Sequence, residues 1–288
     1  MRSQRSCLII LIILMLLCAS AVCAVVAIGG STKGIDNETL FDGVTYTKEV
    51  RTSPRRMVVH IVEINVAKSG IRPFVTPADR PKSDQPYDAR TTSDFMKEYS
   101  VQLAINGSGF SPWYDRSVVY YPHPGDPVAP LGTTISDGFT FMWEGDTRPL
   151  LKFGGKRPVD IGYIDGDAEY AVSGIRMLID DGKILEDLNT TQTAPRTAAG
   201  ISQDGHKMVI VVVDGRQPFY SQGATILELA KILEEHGAYF ALELDGGGSS
   251  TLVVEQNGKP VVLNSPVHRH IPGNQRPVAN HVGFYIKQ

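Results

Sequence analysis

The segment from His206 to Asp214 constrains this chain more than any other. From Met208 to Val213 every side chain is apolar, and the run closes on Asp214-Gly215-Arg216. A short apolar run without polar alternation reads as a strand buried on both faces. Ala224 to His236 then reads as an amphipathic helix, because Ile226, Leu229, Ala230 and Leu233 share one face and Gly237 supplies the stop. Ala238 to Leu244 is a second strand. Strand, helix and strand with short connections predict a parallel crossover unit near the C-terminus. The fold class expected is α+β (mixed α/β), a mixed β-sheet with packed helices.

The rest of the chain is less periodic. Val58 to Val66 alternates as a strand does. Residues 76–90 hold Pro77, Pro81 and Pro86 among charges and read as a loop, and Thr91 to Ser100 as a short helix capped by Thr92 or Ser93. Val101 to Ile105 is a buried strand running into Asn106-Gly107-Ser108-Gly109-Phe110. Residues 111–137 are rich in aromatics, Pro and Gly and are expected to form a long irregular loop. Its aromatics suit either stacking on a sugar face or pinning the loop to the core. Near the end, Asn257-Gly258 marks a hairpin between Thr251–Glu255 and Pro260–Leu263.

The N-terminus reads as a targeting segment. Arg2 and Arg5 precede a run from Cys7 to Gly30 without a charge, with Leu and Ile filling almost all of Leu8 to Leu17. Residues 1–30 therefore act as a cleaved export signal or as a membrane anchor. Either places the remainder outside the cytoplasm. Residues 31–45 are expected to be a linker, and 46–288 the functional domain. The cysteines, Cys7, Cys18 and Cys23, all lie in the first segment. The domain thus has no disulfide, thiolate nucleophile or cysteine-bound zinc. Net charge is −3, which gives no reason to expect nucleic-acid binding. An anionic small substrate remains compatible, since a few arginines in one cleft hold a phosphate on an acidic protein.

Three segments place polar groups at strand ends: Ala194-Pro195-Arg196-Thr197, Asp214-Gly215-Arg216, and Leu244-Asp245-Gly246-Gly247-Gly248-Ser249-Ser250. Asp214 and Asp245 are expected close together at one sheet edge, as carboxylates for acid–base work. The glycine run can let a ligand approach the main chain and can form an anion nest. Arg196 and Arg216 suit forked phosphate binding. Asn106, Thr197, Gly246, Gly247, Ser249 and Ser250 complete the candidate binding set. Each item has a plainer reading: Asp-Gly as a turn, the glycines as a flexible connection, His268 and His270 as a solvated loop rather than a metal pair. The glycine run is neither a phosphate-binding P-loop nor a dinucleotide fingerprint, because no helix follows it. No cofactor is evident, and a divalent metal bound by Asp214 or Asp245 stays open.

At these residues the chain resembles the phosphodiester glycosidase family, which includes the lysosomal uncovering enzyme. The resemblance rests on Pro195–Gly200, on Val213–Arg216 with Ser221–Thr225, on Leu244–Ser250 and on Arg276-Pro277-Val278-Ala279-Asn280-His281, in that order. Asn106–Phe110 resembles an upstream element of the family, with Ser108 where glycine is expected. The resemblance implies hydrolysis of a sugar linked through its anomeric carbon to a phosphodiester, on a mixed sheet with packed helices. Arg196 and Arg216, with the backbone after Asp245, would hold the phosphate. Asp245 or Asp214 would activate water or stabilise the oxocarbenium-like state, while Asn106 and Ser249 orient hydroxyls. The partner implied is a glycan or sugar-phosphate, in envelope or exopolysaccharide metabolism. A hydrolase of ordinary glycosides and a non-catalytic glycan-binding module stay open beside it.

Overall fold

The computed structural model describes residues 35–116, 119–141, 146–163 and 168–287. The apolar segment expected as signal or anchor lies outside them. Among the described residues no helix is long and apolar enough to cross a membrane.

The apolar run forms the strand Lys207–Val213, fourth in an eight-stranded sheet. Across the sheet the order is Ile35–Phe41, Val44–Arg51, Met57–Asn65, Lys207–Val213, Arg196–Ile201, Phe240–Glu243, Arg176–Asp180 and Lys183–Ile184. Every neighbouring pair is antiparallel. The expected parallel crossover therefore takes another form. Lys207–Val213 and Phe240–Glu243 do not pair; Arg196–Ile201 lies between them and runs antiparallel to both. The expected linker, residues 31–45, is described only from Ile35. From Ile35 to Phe41 it forms the edge strand, paired with Val44–Arg51 through the turn at Asp42-Gly43. Its composition is polar because an edge strand keeps a solvated side.

Both faces of Lys207–Val213 are covered, and alternation decides which residue goes where. Val209, Val211 and Val213 join Val59, Ile61 and Ala198 under the helix Ile226–Glu235, which contributes Ile226, Leu229, Ala230, Ile232 and Leu233. Met208, Ile210 and Val212 face the other way, against two five-stranded antiparallel sheets. One is ordered Lys259–Val262, Leu252–Gln256, Leu103–Asn106, His281–Ile286 and Ile71–Val75. It supplies Leu103, Ile105, Leu252, Val282 and Phe284 to this core. The other, built around Leu150–Phe153, supplies Leu151, Phe153, Val159, Ile161 and Val172. The helix Thr92–Tyr99 covers the back of the first with Phe95 and Met96.

Local signals set the ends of the elements. Thr225 and Glu228 form a reciprocal capping box at the longer helix, and Gly237 follows it at φ +81°. The shorter helix is capped by Thr91, whose hydroxyl accepts from the Asp94 amide, and not by Thr92 or Ser93. Residues 111–137 are more regular than the expected loop. Tyr114–Arg116 and Val119–Tyr121 pair as a hairpin, with Tyr114 stacked on Tyr121, and Pro127–Pro130 pairs with Tyr87–Asp88 and Phe110–Ser111. Aromatic cross-strand pairing holds what composition alone marks as irregular.

Leu229 is fully buried between helix and sheet. Leu229→Ala is expected to lower stability by about 2–5 kcal/mol, through lost transfer energy and the cavity left behind. Urea unfolding should show a lower midpoint with an unchanged slope.

Candidate functional site

Antiparallel register brings three chain segments to one edge of the large sheet. Arg196 is opposite Val213, and Ala198 is opposite Glu243. The sheet therefore ends together at Arg196, Asp214 and Glu243-Leu244-Asp245. A cavity of about 390 Å³ opens there. Its walls include Trp113, Arg148, Arg196, Arg216, Glu243, Asp245, Gly246, Gly247, Gly248 and Arg276.

The glycine run makes a tight 3-10 turn over Gly247–Ser249. Four amides of the segment are bonded within the protein: Gly246 donates to Asp245 Oδ1, Gly247 to Pro195 O, Ser249 to Gly246 O and Ser250 to Gly247 O. What the glycines provide is proximity. A Cβ on Gly248 would come within 2.6 Å of Arg276 Nη2. Gly247, at φ +63°, would place one 3.1 Å from Arg216 Nη1. Two guanidinium groups thus lie directly on the turn.

The four cavity arginines differ in how far they are neutralised. Arg196 is committed: Nη1 lies 2.9 Å from Glu243 Oε1, Nε donates to Ala224 O and Nη2 to Gln192 O. Burial lowers its pKa against the pull of Glu243. Arg148 pairs with Asp146 at 2.9 Å. Arg276 donates to Ser249 Oγ at 3.3 Å and to His268 Nδ1 at 3.2 Å, beneath the Trp113 ring at 5.0 Å. Arg216 is exposed and, among the described residues, has no carboxylate within ion-pair distance. Of the two arginines expected to bind phosphate, Arg216 faces the cavity unneutralised and Arg196 is held by Glu243. Arg276 is the arginine that the expected set lacked.

The carboxylates are also partitioned. Asp245 lines the cavity, and burial raises its pKa against hydrogen bonds from Ser249 and the Gly246 amide and the charge of Arg276. Glu243, 1% exposed, lines it as well. It pairs with Arg196 and, at 3.0 Å, with Arg176, yet burial still raises its pKa. A lone acidic residue inside Phe240–Leu244 was the sequence signal for Glu243.

Asp214 sits apart from this cavity, although it ends the same sheet edge. It is buried in a polar cluster. Oδ2 lies 3.0 Å from His60 Nε2 and accepts from Tyr220, while Oδ1 accepts from Asn264 Nδ2 and the Ser265 amide. Burial pushes its pKa up, but the hydrogen bond and charge of His60, with the other donors, hold it below the usual range. His60 Nδ1 is in turn 2.8 Å from the Tyr46 hydroxyl. Asp214 and Asp245 end the same sheet edge as expected of them, but only Asp245 lines the cavity, because the Asp214 side chain is taken up by His60 of the large sheet, Tyr220 of the following loop, and Asn264 and Ser265.

Four further residues expected at the ligand lie in the interior. Asn106 Nδ2 donates to Asp245 O at 2.7 Å, and its Oδ1 accepts from Thr197 Oγ1 and the Thr251 amide. Ser249 and Ser250 are buried, Ser249 bridging Arg276 and Asp245. None of Asn106, Thr197, Ser249 and Ser250 lines the cavity. His268 is buried against Arg276 while His270 is exposed, so they form no paired site. Among the described residues no group of three or more His, Asp, Glu or Cys is placed to hold a metal ion.

Comparison with known proteins gives the same direction. The family described as phosphodiester glycosidase matches residues 99–285, more than half the chain. Three solved structures share the fold. A hypothetical protein from Synechocystis aligns at TM-score 0.58 and 15% identity, over 89% of this chain and 64% of that one, so this chain spans less than two thirds of it. The catalytic domain of zebrafish N-acetylglucosamine-1-phosphodiester alpha-N-acetylglucosaminidase, auto-inhibited by its pro-peptide, aligns at 0.57 and 20%, over 91% and 90%. A protein of Burkholderia pseudomallei assigned as exported aligns at 0.56 and 15%, over 93% and 89%. No match is found among curated protein sequences.

The Asp214 cluster generates a stability prediction with a definite sign. Its folded pKa is depressed, so its contribution is complete above the unfolded value of about 3.9 and is lost as pH falls through the folded value. Asp214→Asn should cost at least about 2 kcal/mol at pH 7. The gap from the native chain should narrow in acid melts below about pH 4.

Proposed function

The chain belongs to the phosphodiester glycosidase family, and from that premise we propose that the cavity hydrolyses the bond between a sugar's anomeric carbon and a phosphodiester oxygen. One observation carries this reading. Two carboxylates, Glu243 and Asp245, share a single cavity of about 390 Å³ with the Arg216 and Arg276 guanidinium groups. The volume suits one sugar ring with its phosphate.

In this mechanism Arg216 and Arg276 bracket the phosphodiester from the glycine turn, which admits them because Gly247 and Gly248 lack side chains. Their charge stabilises the phosphomonoester as it leaves, so little proton donation is needed there. Asp245 faces the anomeric carbon, where it activates water or stabilises developing positive charge. Its raised pKa makes it a stronger base than an ordinary aspartate. Glu243 holds Arg196 and Arg176 at the wall and adds negative charge near the oxocarbenium-like centre. Asn106 fixes the Asp245 carbonyl, and Thr197 fixes Asn106. Asp214 acts as a positioning residue: its cluster anchors Ser221 and Tyr220, which bound the loop carrying Arg216.

The setting we propose is extracytoplasmic, consistent with the N-terminal basic and apolar pattern and with the fold shared by an exported protein. A role in envelope or exopolysaccharide metabolism follows as part of the proposal.

The test uses the chain from Ile35 onward on a sugar-1-phosphodiester and on a matching plain glycoside, with and without chelator. Sugar release from the diester alone is expected. Asp245→Asn should lower kcat by about 10²–10⁴-fold, and Arg216→Ala should act mainly on KM, by about tenfold or more. Equal release from the plain glycoside would reassign the substrate. Full activity of Asp245→Asn would remove the proposed role of that carboxylate, and chelator sensitivity would reveal a metal.

A further inference from the structure

Beyond Arg276 the cavity wall continues outward. Trp113, 53% exposed, lies 5.0 Å from the Arg276 guanidinium, and Arg276 Nε is 3.2 Å from His268 Nδ1. The His268 ring meets Tyr120 edge-on at 5.6 Å, and the Arg269 guanidinium covers the Tyr120 ring at 4.3 Å. Trp113, Arg276, His268, Tyr120 and Arg269 therefore form one continuous line of ring and guanidinium contacts that starts at the cavity wall.

The outer end of this wall is shaped deliberately by the backbone. Arg269 and His270 take φ +55° and +59°, consecutive left-handed positions that side chains with a Cβ disfavour. The turn is held in this form by the His268 amide on Asn274 O at 2.9 Å and by Asn274 Nδ2 on His268 O at 3.3 Å. It packs against the glycine turn on which the Arg216 and Arg276 guanidinium groups lie. Its effect is to lay Arg269 over Tyr120. Among the described residues no carboxylate pairs with Arg269, and Asp126 is engaged by the His123 ring and amide. A stacked guanidinium keeps its charge and its N–H edge available.

We infer that Arg269 and Tyr120 form a second anion subsite, which takes a further phosphate on the alcohol portion of the phosphodiester. The inference rests on the phosphodiester glycosidase reading and narrows its substrates to glycosyl phosphodiesters bearing a second phosphate. A repeating sugar-phosphate chain and a nucleoside-diphosphate sugar both have that chemistry, and differ in whether the phosphates are separated or contiguous.

The experiment measures kcat/KM for a sugar-1-phosphoglycerol, for the same diester carrying a terminal phosphate on the glycerol, and for a nucleoside-diphosphate sugar. The terminally phosphorylated diester should be preferred over the plain one by about tenfold or more at low salt, the order of one charge-assisted contact. Salt should erode the preference. Arg269→Gln should reduce the ratio to within about twofold, and Arg269→Lys should retain part of it, with melting curves confirming that each is folded. An Arg269-dependent preference for the nucleoside-diphosphate sugar would support the subsite and assign it to contiguous phosphates. Equal rates on plain and phosphorylated diesters would overturn the subsite while leaving the glycosidase reading intact. If a folded protein cleaves none of the three, that reading fails. Calorimetric binding of the phosphorylated diester then decides the subsite: weakening by Arg269→Gln retains it, and unchanged binding removes it.

Discussion

A strand without a polar face has to be covered twice, and most of this architecture follows from covering Lys207–Val213. The helix Ile226–Glu235 closes one side and the two smaller sheets close the other. With both faces filled by apolar atoms, the charged side chains of Lys207–Val213, Arg196–Ile201 and Phe240–Glu243 are confined to the strand ends, at Lys207, Arg196 and Glu243. The antiparallel register then fixes which ends meet: Arg196 beside Val213, and Glu243 beside Ala198. The cavity is the consequence of where these strands stop.

Electrostatics at that edge show two separate solutions to charge burial. Around Asp214, donors from His60, Tyr220, Asn264 and Ser265 satisfy the carboxylate so fully that its proton affinity falls despite burial. At Asp245 and Glu243 the donors are fewer or shared, and burial wins, so proton affinity rises. The first arrangement suits a group that stays ionised and holds structure. The second suits groups whose charge responds to what enters the cavity. Neither distinction is visible in the identity of the residues, since both sites hold an aspartate followed by glycine at the end of an apolar strand.

That is where the sequence stops being legible. Strand and helix positions in the last third follow from periodicity, and the capping of Ile226–Glu235 follows from Thr225 and Glu228. The pairing partner does not. Arg196–Ile201 contains Thr197, Ala198, Ala199 and Gly200, too small and too weakly patterned to announce a central strand, yet it separates the two strands that periodicity alone would pair. The same gap explains Asn106 and Thr197. Their residue types suggest ligand contacts, but their donors and acceptors are spent on Asp245 O and the Thr251 amide. Glu243 and Arg276 carry no assigned role in the sequence reading: one is hidden in an apolar strand, and the other opens a motif that marks only the family resemblance.

The two solutions are coupled through the loop from Gly215 to Gly223. Ser221 Oγ donates to the Asp214 carbonyl and accepts from the Val58 amide, while Tyr220 donates to the carboxylate. Gln217 exchanges hydrogen bonds with Ser265, which also donates its amide to Asp214. Arg216 lies between these anchors at φ +57°, a conformation an arginine adopts only when its surroundings impose it. The buried carboxylate thus fixes the ends of the loop, and the loop sets the direction of the cavity's unneutralised guanidinium. A structural aspartate and a ligand-facing arginine two residues apart form one device, in which the ordered charge of the first determines the usable position of the second.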